Sequence, residues 1–189
     1  MISRLLRKPV TWLGILALAA GGAFGLYWFQ PWKLVTDTEV SEALTVVSTT
    51  PPGTLPPSTL PSTAAAAPPA GPTLVGQGEF ISHEHDTTGT ARIIRSSDGT
   101  HRLELADLAT SNGPDLRVWL TDQPVKEGAA GWRVFDDGTW VELGRLKGNR
   151  GDQSYQIPAG TDLKALTSVS IWCKRFSVSF GAADLDPSP

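Results

Sequence analysis

Residues 10–29 run for twenty positions without a charged side chain, and Arg4, Arg7 and Lys8 stand just before them. Few structures are open to such a stretch. As a helix rising about 1.5 Å per residue it spans roughly 30 Å, the thickness of a bilayer's hydrocarbon core. Trp12 at one end, with Tyr27, Trp28, Phe29 and Trp32 at the other, matches the enrichment of aromatic rings at both membrane interfaces. Because cations are retained in the cytoplasm, residues 1–9 are expected inside and everything beyond Phe29 outside. The expectation is a single-pass signal anchor of a bacterial cell envelope. Ala17, Ala19 and Ala23 leave a cleaved secretory signal open, although such signals carry only about 7–15 apolar residues. Either way the remainder is exported, and no cysteine near the N-terminus supports a lipoprotein.

Residues 30–75 read as a linker. Residues 34–47 are mixed and polar with little periodicity, whereas residues 48–73 hold eight prolines and nine serines or threonines, with no charge and no aromatic ring. Such a composition cannot build a core and is expected to form an extended Pro/Ser/Thr/Ala-rich stalk. At about 3.1 Å per residue it reaches up to roughly 80 Å. Sugars on its hydroxyls are compatible with the composition and not fixed by it.

Residues 76–185 are enough for one domain with its own core, followed by a short tail at 186–189. The chain's formal net charge is −3, with both signs interspersed, so it lacks the basic stripe that nucleic acid requires. Short β-branched and aromatic runs recur roughly every ten residues, at 90–95, 101–106, 116–121, 132–135, 140–146, 154–157, 168–173 and 176–180. Between them fall turns built on Gly or Pro. This is the pattern of an all-β single-domain β-sandwich of about eight or nine short antiparallel strands. Alternation puts Val169, Ile171 and Cys173 on one face of their strand, opposite Ser168, Ser170 and Trp172. Cys173 is therefore expected to point inward near a turn.

Cys173 is the only cysteine, so an exported chain cannot pair it internally. It is a small buried hydrophobe, a link to another molecule, or a reactive group. Lys174 and Arg175 follow it, and nearby cations favour the reactive thiolate.

Three long segments then become recognisable: Thr-Ser-Asn-Gly-Pro-Asp-Leu-Arg-Val-Trp-Leu at 110–120, Val-Glu-Leu-Gly-Arg-Leu-Lys-Gly-Asn-Arg-Gly-Asp-Gln-Ser-Tyr-Gln-Ile-Pro at 141–158, and Val-Ser-Ile-Trp-Cys-Lys-Arg-Phe-Ser-Val-Ser-Phe-Gly-Ala-Ala at 169–183. Together, in this order, they resemble the DM-thirteen domain family over about residues 76–185. The resemblance implies a β-sandwich module with a redox or electron-carrying role through a near-invariant cysteine, here Cys173. Members often sit beside DOMON domains or cytochromes. No such segment is visible in this chain, so a separate redox protein is the expected partner.

His83 and His85 alternate, with Glu84 and Asp86 beside them, and imidazole with carboxylate can hold a transition metal. The competing reading is a solvated strand end. His85, ahead of Thr88-Gly89-Thr90, also resembles a family position and is a second candidate beside Cys173 for binding a cofactor. The cofactor itself stays open between a haem, a transition metal and none, since neither a cysteine pair nor a Cys-x-x-Cys-His is present. Residues 112–115 read as a turn, Gly144, Gly148 and Gly151 as a bulge and turn, and Trp119, Trp140, Trp172 and Tyr155 as core or rim aromatics. No hydrolase signature occurs, and self-contained catalysis is not expected. Two functions compete: an anchored extracytoplasmic redox module acting through Cys173, and a non-catalytic envelope binding module displayed on a stalk. Dimerisation through Cys173 is a third.

Overall fold

In a computed structural model, the chain is described for residues 9–47 and 71–187. The cationic residues Arg4, Arg7 and Lys8 and nearly all of the stalk at 48–73 lie outside the described residues. Helix α1 (Pro9–Phe29) is apolar on every side and has no buried residue. Its length and composition suffice to cross a membrane. A 3-10 turn, Pro31–Val35, follows it.

Among the described residues eleven strands make two sheets: β1 (Glu39–Ser41), β2 (Thr73–Glu79), β3 (Ile81–Ser82), β4 (Thr88–Arg95), β5 (His101–Ala109), β6 (Leu116–Thr121), β7 (Trp140–Arg145), β8 (Arg150–Gln156), β9 (Ser168–Cys173), β10 (Val178–Asp184) and β11 (Asp186–Pro187). One sheet runs β1-β8-β5-β4-β2-β11 and the other β3-β10-β9-β6-β7. The protein is thus an all-β sandwich behind one apolar helix. Leu103, Leu105, Val118, Leu120, Val169, Ile171 and Cys173 fill the space between the sheets, as the inward-facing half of each alternating strand must.

The segment 132–135, expected as a strand, is instead part of a loop that follows the 3-10 turn Gly128–Gly131. Its Phe135 is fully buried with Trp119, Trp172 and Ala182 in a second cluster on the outer face of the β9 sheet. Both faces of β9 are consequently covered, and all six of its residues are buried. On that outer face the register places three tryptophans diagonally across neighbouring strands: Thr121 pairs with Trp140 and Trp119 with Glu142, while Arg117 pairs with Trp172 and Trp119 with Ser170. Diagonal neighbours of this kind bring large rings into contact. Trp119 and Trp140 stack with centroids 4.1 Å apart at 2°, and Trp119 and Trp172 at 5.1 Å and 25°.

Residues 39–41, in the stretch read as linker, form β1 and run parallel to β8. Two glycines make room for it. A Cβ on Gly151 (φ +91°) would fall onto the Val40 carbonyl oxygen, and one on Gly148 onto that of Thr38. Gly144 (φ +148°) sits where the β6–β7 register shifts, the expected bulge. The linker is also pinned by side chains. Thr45 donates from its backbone N–H and its hydroxyl to the buried Glu104 carboxylate, and Asn149 donates to Asp37. Lys147 bonds Glu42 at 2.7 Å.

Candidate functional site

Cys173 closes β9, facing the inter-sheet core between Leu116 of β6 and Val178 of β10. It is 0% exposed. The inward direction read from alternation is the one observed. The two cations after it do not serve the sulfur. Lys174 Nζ lies 3.3 Å from Glu142 Oε2. Arg175 Nη1 donates to the carbonyls of Tyr27 and Trp28 at the end of α1, at 3.2 and 2.6 Å. Those carbonyls have no partner within the helix, and a cation there also complements the helix dipole.

Burial therefore sets the state of the thiol, pushing its pKa above the ordinary value. Hydrogen bonds from the backbone of Phe176, Arg175 and Asp115 pull the other way without overcoming it, and the Glu84 carboxylate adds to the upward push. The Phe176 N–H donates to the Cys173 carbonyl at 3.2 Å and the Lys174 N–H to the Asp115 carbonyl at 3.0 Å, which ties the turn after β9 and the loop before β6 to the end of the strand.

Beside this turn a cavity of about 260 Å³ is lined by Phe29, Pro31, Glu84, His85, Gly113, Phe176 and Phe180. Residues 112–114 line it, and the carbonyl of Asp115, the next residue, accepts from the Lys174 N–H. The end of α1 forms another wall, where Phe29 stacks on Phe176 at 5.9 Å.

The two histidines expected to share a metal are held apart. β3 ends at Ser82, so strict alternation does not continue through His85. His83 stacks on Phe135 of the outer cluster. Its Nε2 donates to the Lys126 carbonyl at 3.0 Å, which leaves Nδ1 to accept from Ser179 Oγ at 2.9 Å. Burial lowers its pKa and keeps it neutral. His85 instead packs on Phe180, ring centroids 4.0 Å apart, in the wall of the cavity.

With both His83 nitrogens engaged, the donor set does not fit a metal at this pair. Among the described residues no group of three or more His, Cys, Asp or Glu is placed to hold one. Nor does Cys173 present a haem ligand to this cavity, since its sulfur is fully buried and is not among the residues that line it. Of the sequence candidates, Cys173 and His85 thus flank one end of the sandwich, while His83 belongs to the opposite face of its sheet.

Comparison with known proteins adds one match. The family model described as "Electron transfer DM13" matches residues 79–185. No curated protein and no solved structure matches the chain.

Proposed function

The chain belongs to the Electron transfer DM13 family, and from that membership we propose a redox module that α1 holds to a membrane, with the sandwich on the extracytoplasmic side and Cys173 as the reacting group. One observation carries the assignment to Cys173: the family match spans the chain's single cysteine, which closes β9 directly before the turn at residues 174–177. In the closed fold the thiol is protonated and covered. When the turn at residues 174–177 opens and Phe176 leaves the core cluster it packs against, water reaches the sulfur and takes its proton, leaving the thiolate.

The thiolate then attacks one sulfur of a partner protein's disulfide. The Cys173–sulfur bond forms as the partner's own S–S bond breaks, and the second partner sulfur leaves as thiolate. The single cysteine makes the product an intermolecular disulfide, resolved when the partner's thiolate attacks back. The extracytoplasmic placement draws its support from Arg4, Arg7 and Lys8 before the helix. Protease added outside intact cells is expected to trim the sandwich from the anchor.

The test is exchange with a chromogenic aromatic disulfide, followed by absorbance on the full-length protein in membrane vesicles. Release of one thiolate equivalent from the folded protein is expected, faster in Phe176→Ala and absent in Cys173→Ser. Release only after denaturation would reject Cys173 as the reacting group.

The complete burial of Cys173 supports a second reading, in which the sulfur is packing and the domain is a stalk-borne binding module. That reading expects Cys173→Ser to retain function wherever it retains the fold.

A further inference from the structure

We propose that Trp140, Trp119 and Trp172 form a one-electron relay from the outer surface of the five-stranded sheet to the strand that carries Cys173. The inference rests on the membership in an electron-transfer family stated above and adds a one-electron path that does not pass through Cys173.

The three rings form a graded series. Trp140 is 39% exposed on edge strand β7, Trp119 is 3% exposed on β6, and Trp172 is 1% exposed on β9. Their centroid separations of 4.1 and 5.1 Å are those of rings in contact, and electron exchange between touching π systems needs no intervening bonds. Indole is also the neutral side chain that gives up a single electron most readily. Packing alone would not require the middle ring to carry an anion at its N–H, yet Trp119 Nε1 donates to Glu142 Oε2 at 3.3 Å. Burial by itself would raise the Glu142 carboxyl. The hydrogen bond from Trp119 and the charges of Arg117 and Lys174 outweigh it and keep the group ionised. Because Arg117 at 2.8 Å and Lys174 at 3.3 Å balance the carboxylate's charge, its contribution to the indole is the hydrogen bond itself, which strengthens as the ring turns cationic.

The electron count closes with a partner of one chemical class, a protein metal centre that changes by one electron. Its oxidised form docks over Trp140 and is reduced by one electron, leaving an indole radical cation. Trp119 refills Trp140 and holds the positive charge, its N–H proton staying in the hydrogen bond to Glu142. Trp172 extends the same exchange inward. A reduced centre returns the electron through Trp140, and no covalent bond forms or breaks.

Flash photolysis tests this on the full-length protein in detergent micelles, with Trp12, Trp28, Trp32 and Trp132 replaced by Phe so that no indole outside the series can react. The oxidant is photogenerated tris(bipyridine)ruthenium(III), and indole radicals are read by transient absorption and electron paramagnetic resonance. The expected result is a long-lived radical in this background. Trp140→Phe should lose its fast formation, and Glu142→Gln should shorten its lifetime. Both variants act at partly exposed positions, so they report even if Trp119→Phe does not fold. Equal yield and lifetime in the background, Trp140→Phe and Glu142→Gln proteins would overturn the relay. A failed relay leaves thiolate release from Cys173 unaffected, and an inert Cys173 leaves the radical signal unaffected, so the two proposals fail separately.

Discussion

Arg175 Nη1 lies 2.6 Å from the carbonyl oxygen of Trp28. One of the two cations that follow the cysteine in sequence is thus spent on the end of α1. Arg175→Ala should loosen that end, at a cost of about 0.3–1 kcal/mol for a cation at a helix C-terminus. Hydrogen exchange of residues 26–30 should rise accordingly. Alkaline titration of the Cys173 thiol, followed by ultraviolet absorbance, should shift little, because the guanidinium is directed away from the sulfur.

Burial raises the Cys173 pKa in the folded chain, whereas an unfolded thiol ionises near about 8.5. The folded state holds a proton that the unfolded state has lost, so stability is complete below that pH and falls as pH rises toward the folded value. Tyr155, also raised by burial, extends the loss to stronger alkali. Denaturant unfolding from pH 7 upward should show the decline, with the first part of it removed in Cys173→Ser.

His83 gives the opposite slope. Its buried, neutral ring refuses a proton that the unfolded chain accepts below about pH 6.5, so stability should fall as pH drops through that value. The carboxylates held low by their partners, Asp37 and Glu42, act in a separate and more acidic window. His83→Gln should flatten the unfolding free energy between neutral pH and the onset of that second decline.

Glu104 is fully buried and accepts from Arg92 at 2.8 Å and from Thr45. Removing it leaves the Arg92 charge and the Thr45 N–H without their partner. Glu104→Ala should cost about 3–5 kcal/mol, the usual loss when one member of a buried pair is deleted. Chemical denaturation measures this. Proteolysis should then begin within residues 39–47.

The strands legible in the sequence were those whose alternation meets a buried face. β6 and β9 were read to the residue, because Val118 and Leu120, or Val169 and Ile171, alternate against the other sheet. Strand β1 was not legible: three residues, Glu-Val-Ser, hold their place through Gly148, Gly151 and Glu104, all distant in sequence. Residues 132–135 look like a strand for a different reason. Phe135 is apolar because the outer face of the β9 sheet needs a cover, and a loop meets that need as well as a strand would. At the candidate site the inward direction of Cys173 was legible from period-two alternation. The fate of its cations was not, since adjacency in sequence says nothing of where long side chains find carboxylates and carbonyls. The His83 and His85 pairing failed because β3 stops at Ser82 and the two rings leave on opposite faces.

The most direct measurement is the formation of a glutathione adduct on Cys173 in the folded, full-length protein, read by intact mass in vesicles at stepped ratios of oxidised to reduced glutathione. The account predicts a reversible adduct that forms faster than the protein unfolds, accelerates with rising pH and is absent in Cys173→Ser. An adduct that forms only at the rate of global unfolding would contradict it.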